Sequence, residues 1–256
     1  MLLSLFPGID LFGQAFELEG FSVVRGPDPL WGGDIRRFHP DPGWAWGVFG
    51  GSPCQDFSRL RRGPATGYGL EMLGEFRRVV LEALPEWFCF ENVPCCPDVK
   101  VDGYGWQRVD VNQGWYSGVN RLRHFQFGSR SGVHIEIEKG RTMVGLQPAA
   151  LAHDERGFRT VCELQGLSPS FALPPFKIGE AVKAVGNGVP LVLGRTVARA
   201  IRRAYGLAVD GSTATFDRAA VVVRRCACGC GRRVDGKASY DGPACRKRAE
   251  RRRKSS

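Results

Sequence analysis

Four short apolar runs, at residues 2–6, 21–24, 46–51 and 87–90, each give way to a turn bearing glycine, proline or a carboxylate. Helical patterns at residues 11–19 and 71–83 lie among them. Strand, turn and helix alternating on this scale predict an α/β fold built on a mostly parallel, doubly wound sheet. Ligands of such sheets bind beyond the carboxyl ends of the strands, so the residues that follow each strand are where chemistry is expected. Residues 130–158 are irregular apart from Val133-His134-Ile135-Glu136-Ile137-Glu138, whose alternation predicts an exposed strand. Apolar periodicity returns at residues 189–205, after Gly186-Asn187-Gly188, and predicts a helix ending at Gly206.

A chain of 256 residues with 43% hydrophobic content can bury a sizeable core, which excludes a disordered or fibrous class. No apolar run approaches the roughly 20 residues that cross a bilayer, and Met1-Leu2-Leu3-Ser4-Leu5-Phe6 lacks the basic start and cleavage site of an export signal. A cytoplasmic protein without membrane contact is therefore expected, with its nine cysteines reduced. The formal charge of +10 is localised: residues 218–256 hold 13 basic and 3 acidic residues, while the rest of the chain is neutral. Such a tail either neutralises nucleic-acid phosphates or serves as a solvated solubility tail.

Each predicted strand is followed by distinctive residues. Phe6-Pro7-Gly8-Ile9 would bring backbone amides at a helix start toward a polar ligand. Asp28 is suited to accept from ribose hydroxyls and Asp34 from an adenine amino group, although each alone reads as a loop aspartate. Gly50-Gly51-Ser52-Pro53-Cys54-Gln55-Asp56-Phe57-Ser58 is more specific. A lone cysteine is usually a small buried hydrophobe. Here it sits in a shaped loop at the expected start of the next helix, where the thiolate would be favoured. Phe90-Glu91-Asn92-Val93-Pro94 then places a carboxyl at another strand end, within reach of the same crevice.

With these residues in view, the chain resembles the DNA (cytosine-5)-methyltransferases, of the small bacterial or phage type. Pro53-Cys54-Gln55 and Glu91-Asn92-Val93 match two of that family's motifs in order. Leu5-Phe6-Pro7-Gly8-Ile9 resembles its cofactor loop, Gly33-Asp34-Ile35 its adenine-side loop and Arg121-Leu122-Arg123 its Arg-x-Arg element. Glu163-Leu164-Gln165-Gly166-Leu167 and Val185-Gly186-Asn187-Gly188-Val189-Pro190 resemble its closing segments.

The resemblance implies a Rossmann-like S-adenosylmethionine-dependent fold over residues 1–205. It also implies a nucleophilic addition of Cys54 to carbon 6 of a cytosine flipped out of double-stranded DNA. Glu91 would then act at ring nitrogen 3, with a raised pKa, and Arg123 at the base carbonyl. Arg121 would help to position the base or its phosphate, and Pro53, Gln55 and Asn92 complete the catalytic set. S-adenosylmethionine would meet Phe6, Gly8, Ile9, Asp10, Leu11, Asp28, Asp34, Ile35, Asn187 and Val189. The arginines after Ser58 would contact the DNA backbone, or else form a solvated face.

The chain departs from the family in four places. Asp10 replaces the second glycine of the cofactor loop, and its carboxylate is expected to face the methionine amino group. Asp28 and Asp34 are too close for the usual intervening helix, and Val119 stands where the family has glutamine. Residues 130–158 leave only a minimal target-recognition segment, which predicts a short or relaxed recognition sequence.

Residues 206–223 read as a linker to a basic tail, 224–256, in which Cys226, Cys228, Cys230 and Cys245 supply the four thiolates of a zinc site. That tail resembles small zinc-ribbon or treble-clef modules. Free or oxidised thiols are the alternative. Cys89, Cys95, Cys96 and Cys162 lack ligand spacing and read as core or surface thiols. The expected partner is double-stranded DNA, bound by a monomer, with a separate restriction nuclease as a further candidate. Two rivals stay open: the same chemistry on tRNA, which one branch of the family performs, and a catalytically silent DNA-binding relative.

Overall fold

A computed structural model describes residues 1–207 except 60, 62 and 175, together with 224–225 and 233–234. In chain order the elements are β1 (Leu2–Leu5), α1 (Leu11–Glu17), β2 (Val23–Arg25), β3 (Gly47–Gly50), α2 (Tyr68–Ala83) and β4 (Trp87–Asn92). They continue as β5 (Gly105–Asn112), β6 (Val119–Asn120), β7 (Leu122–Ser129), β8 (Gln147–Pro148), α3 (Phe158–Leu164), α4 (Ile178–Asn187) and α5 (Leu191–Ala204).

The sheet runs β2-β1-β3-β4-β7-β5. Its first four strands are parallel, and β7 alone is antiparallel to both its neighbours. The chain leaves β1 for β2 on one side and returns to β3 on the other, which puts a topological switch point at the carboxyl ends of β1 and β3. Every residue of β1 and β3 is buried, as a strand covered on both faces requires.

Side-chain alternation divides the core. Leu2, Phe49, Trp87 and Cys89 join α1 and α5 on one face. Leu3, Leu5, Val48, Phe88 and Phe90 meet Phe76, Val79 and Val80 of α2 on the other. Phe16 stacks on Phe49 at 4.3 Å between ring centres, and Trp87 is wholly buried.

Several elements differ from the sequence reading. The helix expected at residues 71–83 begins at Tyr68, and Gly186-Asn187 not only precedes the expected helix, seen as α5, but also closes an unexpected one, α4. Residues 133–138 form no strand. Ile135 is buried and Val133 and Ile137 pack on the core, but the backbone is held by a side chain: Gln107 Oε1 accepts from the Ile135 amide at 2.9 Å and Nε2 donates to its carbonyl at 2.7 Å.

The same device recurs. Gln126 pairs with both backbone groups of Val99. Gln113 donates to the Leu164 carbonyl at 2.7 Å, and Gln165 to those of Val185 and Gly188 at 2.6 and 2.8 Å. Irregular backbone beyond β4 is thus satisfied by side-chain amides, those of Gln113, Gln126 and Gln165 buried and that of Gln107 half-buried, as enclosed polar groups demand.

The chain divides into two units, Met1–Thr215 and Phe216–Ser256. In the second, the described pairs Arg224–Arg225 and Arg233–Val234 run antiparallel. The expected linker beyond residue 207 and all four expected zinc ligands, Cys226, Cys228, Cys230 and Cys245, lie outside the described residues. Among the described residues no helix is long and apolar enough to cross a membrane, and no group of three or more His, Cys, Asp or Glu is arranged to hold a metal ion.

Candidate active site

The loop from β1 to α1 takes its shape from three residues with left-handed backbone: Phe6, Gly8 and Asp10, with φ of 52°, 55° and 56°. Such values are strained for all but glycine, so the loop is held by its contacts. Asp10 supplies most of them. Its buried carboxylate accepts from Ser4 Oγ at 2.8 Å and the Gly13 amide at 3.0 Å, and pairs with Arg25 Nε at 2.8 Å. Burial pushes its pKa up, against the pull of Ser4 and Arg25. The carboxylate expected to face a ligand's amino group thus caps α1 and is engaged by Ser4, Gly13 and Arg25.

Asp28 binds the next loop to this one. One oxygen accepts from the Gly8 amide at 2.9 Å and the other from Leu30 at 2.8 Å. Asp34 accepts from the Arg36 amide and Nε at 3.0 and 2.9 Å, which holds its carboxyl below the usual range. Trp31, absent from the sequence-derived set, donates its indole N–H to the Gly8 carbonyl at 2.7 Å and meets Phe176 edge to face at 5.9 Å. A tryptophan three residues after Asp28 was the only local signal for it.

Beyond β3, Gly51 admits no side chain: a Cβ there would stand 2.7 Å from Glu91 Oε2. Asn92 Nδ2 donates to the Ser52 carbonyl at 3.0 Å and so ties the Cys54 loop to the end of β4. Cys54 opens a single turn, its carbonyl receiving the amides of Phe57 and Ser58, and α2 starts only at Tyr68. The expected helix start at Cys54 is therefore absent. Its half-buried thiol is pushed up by burial and by Glu91, with Arg123 and Arg121 opposing.

Glu91 is the penultimate residue of β4, with its side chain 12% exposed and Oε1 3.1 Å from Arg123 Nε. Burial pushes its carboxyl above the usual carboxylate range despite Arg123 and Arg121. The two arginines of the Arg-x-Arg element differ sharply. Arg123 adds one bond to the Leu122 carbonyl and otherwise serves Glu91. Arg121 is buried and grips the carbonyls of Ala150 at 2.7 Å and of Gly186 and Gly188 at 3.2 Å. Burial, reinforced by Arg123, lowers its pKa to about 9.

A cavity of about 890 Å³ opens at the switch point. Its walls include Phe6, Gly8, Ile9, Asp10, Leu11, Asp28, Asp34, Ile35, Asn187 and Val189, and also Pro53, Cys54, Gln55 and Glu91. Trp31, Phe176, Glu180 and Lys183 complete it without having been expected. Asn92, Arg121 and Arg123 are not among its walls, Arg123 adjoining it through Glu91. The volume falls in the range of sites that enclose most of a small ligand.

A six-stranded sheet of this order, with a cavity joining its first loop to a cysteine and a carboxyl on later strand ends, has the fold of the methyltransferases. Residues 33–97, which contain both Cys54 and Glu91, match the family model of C-5 cytosine-specific DNA methylases.

Solved structures agree on the fold. The Entamoeba histolytica methyltransferase EhMeth superposes with a TM-score of 0.61 at 9% identity, covering 79% of this chain and 97% of that one. A prophage-encoded E. coli protein, described as a DNA modification methyltransferase, gives 0.60 at 13% identity, covering 80% and 99%. The Dnmt2 methyltransferase of S. pombe gives 0.54 at 12% identity, covering 79% and 98%. No curated protein sequence matches the chain significantly.

Proposed function

We propose that this methyltransferase acts on carbon 5 of cytosine in double-stranded DNA through a covalent adduct of Cys54. The observation that carries the reading is the single cavity whose walls include the β1–α1 loop at one end and Cys54 and Glu91 at the other. The donor end fits S-adenosylmethionine: the Trp31 ring and Ile35 suit a planar base, and Asp28 and Asp34 bring carboxylates to hydroxyl and amino groups. When bound, S-adenosylmethionine supplies an electrophilic methyl group.

The protein's own residues make carbon 5 nucleophilic. Cys54 loses its proton to solvent and adds as thiolate to carbon 6, while the Glu91 carboxyl gives its proton to ring nitrogen 3. Burial raises the Glu91 pKa, so its carboxyl holds a proton for nitrogen 3 more readily than an ordinary carboxylate would. Arg123, 3.1 Å from Glu91, orients that carboxyl and offers its remaining N–H groups to the base carbonyl. After methylation, the carbon 5 proton leaves to solvent, the Cys54–carbon 6 bond breaks and nitrogen 3 returns its proton to Glu91. Carbon 6 is unreachable within a stacked duplex, so the cytosine must be extruded into the cavity. The short segment at residues 130–158 is the proposed target-recognition region, and the basic tail a second phosphate-binding element.

The test is transfer of labelled methyl from S-adenosylmethionine to unmethylated duplex DNA and to tRNA, by the wild type and Cys54→Ala. A duplex carrying 5-fluorocytosine, which cannot lose a carbon 5 proton, should trap the protein covalently. Cys54-dependent label in DNA supports the reading, label only in tRNA moves the substrate to RNA, and no label in either leaves a silent binder.

A further inference from the structure

The turn that carries Cys54 is fastened at both ends. In front, Asn92 holds the Ser52 carbonyl. Behind, the Asp56 carboxylate, in a residue 9% exposed, gathers donors from the far end of the loop that follows. Its Oδ1 accepts from the Thr66 amide at 2.9 Å and hydroxyl at 3.1 Å, and its Oδ2 from the Gly69 amide, in the first turn of α2, at 2.8 Å. The Phe57 and Ser58 amides both bond to the Cys54 carbonyl, at 3.0 and 2.9 Å, so Cys54 and Asp56 belong to one turn. The Arg61 guanidinium donates to the Asp56 carbonyl. Packing leaves no slack, because a Cβ on Gly69 would stand 3.0 Å from both Asp56 Cβ and the Phe57 ring. These backbone donors hold the Asp56 carboxyl below its ordinary range, so it is ionised and fully accepting at neutral pH.

We infer that Asp56 is a positioning residue, which fixes the Cys54 turn to the start of α2 and couples the seating of the thiol to the exposed Arg59 and Arg61 between them. The coupling to substrate rests on the function proposed above; the seating of the thiol does not. A nucleic-acid backbone drawn onto those arginines would pull on a segment whose two ends meet at one carboxylate, and that carboxylate adjoins the nucleophile.

The experiment compares Asp56→Ala, Asp56→Asn and Gly69→Ala with the wild type in two assays. The first is the alkylation rate of Cys54 by iodoacetamide, followed by mass spectrometry with the exposed Cys95 as internal reference. Asp56→Ala is expected to raise it about fivefold, as loss of one net hydrogen bond would, with Cys95 unchanged. Asp56→Asn, which keeps one acceptor oxygen, should lie between, and Gly69→Ala should approach Asp56→Ala although its carboxylate is intact.

The second assay is steady-state methyl transfer. KM for the duplex should rise about tenfold, equivalent to about 1.4 kcal/mol, while S-adenosylhomocysteine affinity stays at the wild-type value. A residue that only supported the fold would move all of these together. An unchanged Cys54 rate in Asp56→Ala, or a loss of S-adenosylhomocysteine binding parallel to the loss of activity, overturns the inference. Should the wild type modify neither DNA nor tRNA, the proposed function falls, and the alkylation rates alone still decide whether Asp56 seats the thiol.

Discussion

Arg123 Nε lies 3.1 Å from Glu91 Oε1, and the pair joins β7 to the end of β4 across an antiparallel register in which Glu91 faces Phe125. The carboxyl is thereby held still while burial keeps its pKa high. Replacing Glu91 with glutamine removes the negative field that raises the Cys54 thiol and frees Arg123 to lower it. The midpoint of Cys54 alkylation against pH should therefore move down. Methyl transfer should nonetheless fall by at least about a hundredfold, since the amide has no proton to give nitrogen 3. A variant that gained both reactivity and activity would refute this assignment of roles.

The two arginines should separate stability from chemistry. Arg121→Met strands three carbonyls, of Ala150, Gly186 and Gly188, and should cost about 3 kcal/mol or more in urea unfolding. Arg123→Met should change stability far less, because its side chain is partly exposed, while abolishing methyl transfer. Equal unfolding midpoints for the two variants would contradict the separation.

Gly51→Ala should inactivate without unfolding. The added Cβ would stand 2.7 Å from Glu91 Oε2, so the carboxyl must swing away. Circular dichroism melting near wild type with transfer reduced by about tenfold or more is the expected combination.

Trp31→Phe keeps a ring beside Phe176 but removes the bond to the Gly8 carbonyl. S-adenosylhomocysteine should bind about fivefold more weakly by calorimetry, the equivalent of one hydrogen bond. Undiminished affinity would show that the loop keeps its shape without the indole.

His124 is fully buried, with Nδ1 3.1 Å from the Val93 carbonyl, and burial lowers its pKa to about 4. The folded value lies below the unfolded one of about 6.5, so its stabilising contribution is complete above pH 6.5 and fades as pH falls toward 4. Urea unfolding at pH 7 and pH 4.5 should differ by up to about 3 kcal/mol more in wild type than in His124→Asn.

The first half of the fold was legible because its signals are local. Buried strands β1, β3 and β4 are short apolar runs, and Cys54 and Glu91 stand at strand ends where a motif fits within a few residues. The second half was not. Strand β7 mixes Phe125 and Phe127 with buried His124, Gln126 and Ser129, each satisfied by a partner far along the chain, so neither alternation nor a continuous apolar run marks it. For the same reason the intramolecular contacts of Asp10 and Arg121 were not legible. The first turns to Ser4 and Arg25, and the second to Ala150 and Gly186, contacts that no window of sequence contains.

The glutamines at 107, 113, 126 and 165, the first half-buried and the others buried, do with single side chains what a ladder of strands does elsewhere. A ladder spreads its strength over many interchangeable rungs, so that one altered residue is averaged away. Here each amide is an isolated rivet. Segments 93–99, 133–138 and 185–188 each hang on a few such side-chain contacts, His124 joining Gln126 at the first, Tyr116 joining Gln107 at the second and Arg121 joining Gln165 at the third, so each can be loosened by one or two substitutions. The α/β frame does not rest on any one of these peripheral segments, so it can hold while they are altered piece by piece.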